Sequence, residues 1–262
     1  MGSGCGRQLP KADELEILAQ TDDWVAVLKP AGLATVPGRG ESDSVLERLG
    51  RQLGIPSAGT TDPRVRVVHR LDKDTSGVLL FAKHAAAQRH LSHQFQNNTI
   101  GKEYLALVAG RPATPQGEVD APLAPHPTSP KRMAVVRHGG RPAKTEWQVE
   151  AAFRDYALLR VTPQTGKTHQ IRVHLQSIGL PLAIDPLYNA PRGGGRSPVL
   201  LLSAFKRSYR AAGEAEKPLI ERLTLHAHRL RFDSPAGGPV QLEAPPPKDF
   251  RAALNMLRKY GK

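Results

Sequence analysis

"VVHRLDKDTSGVLLFAKH", residues 67–84, sets the problem this chain poses. An apolar run that reads as a strand reaches His69 and Arg70, and a second apolar run begins at Val78. Between them stand Arg70, Asp72, Lys73 and Asp74, followed by Thr75, Ser76 and Gly77. Apolar runs bounded by turn formers read as strands, so the segment is strand, charged loop, strand. A plain connection needs turn residues, not an Arg two positions before an Asp. Asp72 is either a turn-capping acid, a common fate of Asp in loops, or a working group offered by a rigid scaffold.

Upstream, residues 1–13 read as a flexible leader, and residues 14–262 as one domain. "ELEILAQTDDWVAVLKPAGLATVPG" gives short strands at 15–19 and 24–28 joined by Thr-Asp-Asp, after which Lys29-Pro30 ends the second strand. "SDSVLERLGRQLG" predicts a helix over 43–53, capped by Ser42 or Asp43 and stopped by Gly54. Downstream, a helix is expected at 85–97 and a strand at 102–109, then a Pro-rich extended stretch at 112–130 without a helix. Strands follow at 144–152 and 156–162, the loop "PQTGKT", and a helix from His169 to Ile178. Residues 190–198, "APRGGGRSP", read as a flexible loop, strands are expected at 223–232 and 239–243, and a helix at 247–259 closes the chain. There is no regular βαβ rhythm and no repeat of fixed period. The expected fold class is α+β, with a mixed, mostly antiparallel sheet.

Composition narrows the partners. The 262 residues suit a domain with a real core and carry a net charge of +13, with a sequence pI near 10.2. A basic balance of this size points to a polyanion, most often nucleic acid. The one cysteine, Cys5, allows no internal disulfide and no thiolate metal site. No apolar run is long enough to span a membrane, and the N-terminus has no signal-peptide core, so a cytoplasmic protein is expected from a bacterium, with a mitochondrial or nuclear address open in a eukaryote.

Several motifs tempt and fail. "TGKTHQ" ends like a phosphate-binding loop, but Val161 stands where that motif needs a Gly. His90 and His93 lie on a basic helix, and His226 and His228 alternate on a strand. Neither pair has the further ligands a zinc site requires. The Gly clusters at 38–40 and 193–195 give no dinucleotide fingerprint. What remains are Lys29-Pro30, Arg70 with Asp72, Lys102 with Tyr104, and Lys167 through His174, each at a strand edge or helix start.

Those blocks carry a resemblance. "HRLDKDTSG", "KEYLALV", "GKTHQIRVHL" and "LHAHRLRF" resemble the signature blocks of the RluA-like pseudouridine synthases, and "LKPAGLATVPG" is similar to their Lys-Pro block. The blocks stand in the family's order over about residues 15–245. Lys167 departs from the pattern, since relatives more often carry Arg there, and the small N-terminal RNA-binding domain of many relatives has no counterpart. The resemblance implies a pseudouridine synthase fold, its sheet in two halves around a central catalytic cleft. It implies an isomerase that converts uridine in ribosomal or transfer RNA to pseudouridine, with no cofactor, no metal and no required protein partner. A short stem-loop target and a monomer are the expectations.

Residue by residue, Asp72 matches the family's catalytic aspartate. Arg172 resembles the arginine that pairs with it; a carboxylate in a cleft loses hydration and needs such a counter-charge. Tyr104 matches the active-site tyrosine, whose ring can stack on the extruded base and whose hydroxyl can help remove a proton. Arg70 is expected to hold the flipped nucleotide or fill its vacated place. Ile171 and Leu225 match apolar positions against the base. His69, Lys29, Lys102, Lys167 and His169 are expected to face RNA phosphates or support the cleft. The rival is a non-catalytic RNA-binding or assembly factor, which needs none of Asp72, Tyr104 and Arg172.

Overall fold

The structure is a computed structural model that describes residues 13–38, 40, 42–189, 199–206, 209 and 216–261. The expected leader, but for Asp13, and the expected flexible loop at 190–198 lie outside the described residues. The elements run β1 (Glu16–Gln20), β2 (Trp24–Lys29), α1 (Val45–Leu53), β3 (Arg66–Val67), β4 (Ser76–Ala82), α2 (Ala85–Gln96), β5 (Gly101–Ala109), β6 (Gln116–Asp120), β7 (Leu123–His126), β8 (Ser129–Val135), β9 (Lys144–Ala152), β10 (Tyr156–Pro163), α3 (Gln170–Ser177), β11 (Leu225–Asp233), β12 (Pro239–Glu243) and α4 (Lys248–Tyr260).

Ten strands form one sheet in the order β1-β2-β4-β11-β5-β10-β9-β6, with β12 on β11 and β3 on β4; β7 and β8 form a separate hairpin. The class is α+β, as the element pattern predicts. Among the described strand pairs, only β4 with β11 is parallel, and it spans two residues: Ser76 opposite His226 and Gly77 opposite Ala227. That seam joins an N-terminal half of the sheet to a larger C-terminal half. Gly77 is required there. It has φ +126°, and a Cβ on it would lie 2.1 Å from the carbonyl oxygen of Ala227.

Alternation decides which residues go where. In β4, Val78, Leu80 and Ala82 join the cluster around α2, while Leu79 and Phe81 join the cluster around α1. Every residue of β4 is buried, which is why its sequence is a continuous apolar run. In β5, Leu105 and Leu107 meet α4, while Ala106 and Val108 meet α3. On the face away from Tyr104, an ion ladder crosses five strands. Glu150 pairs with Arg160, Arg160 with Glu103 at 2.8 Å, Glu103 with Arg229 at 3.2 Å, and Arg229 with Glu243 at 2.8 Å.

Three local departures from the sequence reading have physical causes. The cap of α1 is Ser44, whose hydroxyl accepts the Glu47 N–H at 3.2 Å. The first strand of the opening stretch keeps two sheet residues, because the chain leaves β4 at Val68 and the ring of His69 takes the Leu80 N–H instead. The basic segment from Ser129 to Val135 is a strand, paired to β7 through Pro125 and Met133; its charge hides the alternation.

Candidate active site

Asp72 sits on a loop that the end of β2 bolts down. Lys29, at the end of β2, has no exposed surface. Its ammonium donates to the carbonyls of Pro30 (2.9 Å), Lys73 (2.7 Å) and Thr75 (2.8 Å). Three donors meet three acceptors. Thr35 adds a two-way clamp: its hydroxyl donates to the carbonyl of Leu71 at 3.0 Å and accepts the Leu71 N–H at 3.2 Å. The Gly32 N–H donates to the carbonyl of Lys73 at 2.9 Å. Burial pulls the Lys29 pKa down to about 7, against the pull of Asp74 and Asp72. Of the two roles expected of Lys29, facing phosphate or supporting the cleft, the first is corrected: it lies beneath the loop, with two of its donors on that loop and the third on Pro30.

The opposite wall is the turn before α3. Gln170 staples it. Its carbonyl oxygen accepts the Thr165 hydroxyl at 2.7 Å and the Lys167 N–H at 3.0 Å, and its amide donates to the carbonyl of Lys144 at 2.9 Å. The helix starts one residue later than the spacing predicts, because His169 adopts a left-handed backbone, φ 55°. Residues 170–175 are all buried, so α3 is surrounded on every side over its first six residues. That burial holds Arg172 inside the molecule and aims it at the cleft.

Arg172 is the hinge of the charge arrangement. It donates from Nε and Nη2 to Asp185 at 2.8 Å each, and from Nη1 to Oδ2 of Asp72 at 3.1 Å. Its side chain is 7% exposed, Asp185 0% and Asp72 26%, so of the two carboxylates Asp72 is the one open to the cleft. Asp185 also accepts the backbone N–H groups of Leu187 and Tyr188. Asp185 was missed in the sequence. Its signal was "AIDPLY", an acid inside an apolar stretch, which must find a partner when buried.

A cleft of about 380 Å³ opens above this pair, between the two halves of the sheet. Its lining brings together His69, Arg70, Asp72, Lys102, Tyr104, Lys167, His169, Ile171, Arg172 and Leu225. Ten of the eleven expected site residues therefore meet in one place, and Lys29 alone stands beneath it. Ile171 and Leu225, 6% and 4% exposed, give an apolar wall. Tyr104 shares the β5 face of Lys102; burial, and then the charge of Asp72, push its phenol pKa up. Burial, and then Lys167, pull Lys102 down to about 8; two ammonium groups meet at this rim. Arg70 is exposed and, among the described residues, forms no ion pair with Asp72 or Asp74. His69 stacks on Phe95 at 4.3 Å, and burial, then Lys102, bring its pKa to about 3.

His226 and His228 both turn a ring nitrogen to the carbonyl of Ala244, at 3.0 and 2.9 Å. They hold β11 and are not part of the cleft lining. No helix among the described residues is long and apolar enough to cross a membrane.

Comparison with known proteins gives the family. Residues 23–177 match the family model described as RNA pseudouridylate synthase. The "Ribosomal large subunit pseudouridine synthase D" of Nitrosomonas europaea is 41% identical over 250 residues, covering 95% of this chain and 67% of that protein. The protein of the same name from Haemophilus ducreyi is 36% identical over 255 residues, covering 95% of this chain and 72% of its own. Among solved structures, "Human RNA Pseudouridylate Synthase Domain Containing 4" superposes with a TM-score of 0.69 at 28% identity over 93% of each chain. "Human RNA Pseudouridylate Synthase Domain Containing 1" shares the fold, with a TM-score of 0.67 at 22% identity, covering 92% of this chain and 86% of that one. With its family blocks gathered at one cleft, and its sequence matched over most of its length, the chain belongs to the RNA pseudouridylate synthase family of isomerases.

Proposed function

We propose that this chain isomerises uridines of large-subunit ribosomal RNA to pseudouridine, with Asp72 as the reacting carboxylate. The ribosomal substrate is supported by the names of the curated relatives. It favours this RNA over transfer RNA, and a cytoplasmic place of work goes with it. Residues 14–262 act as one catalytic unit, and the protein works as a monomer. The observation that carries the site reading is the 3.1 Å contact of Arg172 with Asp72 at the floor of the cleft.

The chemistry cuts the bond from the ribose to nitrogen 1, turns the uracil, and rejoins the sugar to carbon 5. A carboxylate beside the sugar is needed, whether it adds to the sugar carbon or takes a proton from it. Arg172 supplies the counter-charge beside that carboxylate, at 3.1 Å. The base must leave the RNA stack. Tyr104, Ile171 and Leu225 receive it, while Arg70, at the mouth, holds the flipped nucleotide. Lys102 and Lys167 meet a neighbouring phosphate. His69 and His169 shape the walls. The carbon 5 proton must then leave. Burial keeps the phenol of Tyr104 neutral, so it can take the carbon 5 proton only as it gives its own hydrogen to solvent in the open cleft.

The test is tritium release from RNA labelled at carbon 5 of uridine, comparing wild type with Asp72→Asn on ribosomal and transfer RNA. Release from ribosomal RNA by wild type alone is expected. Release from transfer RNA only would replace the substrate. No release from either, with binding intact, would make the chain a non-catalytic binder. Tyr104→Phe keeps the ring and loses the proton path; full product formation by it would remove that role.

A further inference from the structure

Tyr188 is 4% exposed and stands where three elements meet. Its oxygen accepts the backbone N–H of Met133, on β8, at 2.8 Å, and lies 2.9 Å from Nδ1 of His169. The guanidinium carbons of Arg132 and Arg172 lie 5.1 and 5.0 Å from its ring centre. The ring thus sits between the basic β7–β8 hairpin and the arginine that holds Asp72.

The hydrogen bonds fix more than position. A backbone N–H can only donate, so the phenol oxygen accepts from Met133. The phenol has one hydrogen of its own. The acceptor in reach of it among the described residues is Nδ1 of His169, and the arrangement that satisfies both the phenol hydrogen and the Met133 N–H leaves that nitrogen without a proton. Burial works against a charged imidazole at His169. A neutral ring with a bare Nδ1 carries its hydrogen on Nε2. Nε2 is the nitrogen that faces Asp72, 3.8 Å from Oδ2. That gap is longer than a hydrogen bond and closes with a shift of about 1 Å. The left-handed backbone at residue 169, unfavourable for a residue other than Gly, directs this ring toward the cleft.

We propose that Tyr188 is a positioning residue that couples the β7–β8 hairpin to Asp72, by fixing His169 as the tautomer whose Nε2–H faces that carboxylate. This rests on the reading of Asp72 as the reacting group. The hairpin carries Lys131 and Arg132, and Arg137 and Arg141 follow it, so RNA seated on these cations pulls on Met133. Displacement of Met133 moves the phenol, and through it the ring that donates toward Asp72. RNA engaged away from the cleft is thereby sensed inside it.

The experiment uses the full chain with ¹⁵N-labelled histidine, His169→Gln to assign the signal, and Tyr188→Phe as the probe. Phe keeps the ring and its cation contacts and removes the hydroxyl. Wild type is expected to show His169 as the Nε2–H tautomer and Tyr188→Phe a mixture. On the RNA that wild type modifies, kcat is expected to fall about tenfold or more, as misplacement of a catalytic group does, with KM unchanged. A merely structural loss would lower the unfolding midpoint without moving the tautomer. An unchanged tautomer in Tyr188→Phe, or an unchanged kcat, would overturn the coupling. A wild-type protein without turnover would overturn the Asp72 reading, and the tautomer signals from the same samples would still decide the linkage.

Discussion

Arg172 faces Asp185 fork to fork, with two hydrogen bonds of 2.8 Å, and spares only Nη1 for Asp72. The fully buried carboxylate therefore sets where the guanidinium points, and the half-open one receives what is left. Asp185→Asn keeps the shape and removes the charge. It is expected to cost about 3 kcal/mol or more, because a buried guanidinium loses its firmest partner. Turnover is expected to fall about 100-fold as Arg172 drifts from Asp72. Thermal unfolding and single-turnover kinetics, with RNA affinity as the control, check both. Arg172→Lys is expected to fail similarly, since an ammonium cannot make the fork.

Lys29→Met is the test of the bolt beneath the loop. The substitution preserves volume and leaves three carbonyls without their donor. A loss of about 2–4 kcal/mol is expected. Activity should fall with it while RNA affinity stays, because the side chain lies under the loop and not in the cleft. Equilibrium unfolding in urea and filter binding read the two separately.

Acid should weaken the fold through its buried histidines. The pKa of His226 falls from 6.5 to about 4, by burial first, and that of His69 to about 3. Below 6.5 the unfolded chain takes up protons that the folded chain refuses. The stability is thus whole above pH 6.5 and declines as pH falls toward these folded values. For His226 the full shift corresponds to about 3 kcal/mol. The cause is burial, helped by the neighbouring charges of His228 and Arg222; the bond from Nε2 to the carbonyl of Ala244 pulls the other way and does not make up the loss. Unfolding midpoints between pH 4 and 6.5 should slope upward in wild type and less steeply in His226→Gln.

Gly77→Ala is expected to be the most damaging small substitution. The new methyl would lie 2.1 Å from Ala227 oxygen, at a backbone φ of +126°. Neither strand can retreat without opening the seam. A loss above about 4 kcal/mol is expected, read as a collapse of the unfolding midpoint, whereas Gly110→Ala, with its nearest contacts at 3.7 Å, should suffer less.

Much of this was legible in the chain. The continuous apolar run of β4, the helices α2 and α4, and the hairpin of β9 and β10 follow from pattern and punctuation. Asp72 was legible as an odd acid in a charged loop, but its partner lies 100 residues away, and no local pattern links the two. Only the resemblance of the "QIRVH" block joined them. Asp185 and Tyr188 escaped because a lone Asp before Pro looks like a turn and a lone Tyr looks like core. For Lys29 the sequence leaves two roles open, facing phosphate or supporting the cleft, because a lysine is seldom buried and nothing in the sequence announces three carbonyls converging on it.

The parallel seam has a consequence for how the molecule comes into being. Ser76 and His226 are 150 residues apart, and β11 is made long after β4. During synthesis the charged loop waits on a half-sheet with its neighbouring strand absent. Closing so wide a loop is slow, and its reward arrives at once, when β11 inserts between β4 and β5. A partly made chain is then no weak catalyst but an inert one, and competence arrives as a single late event.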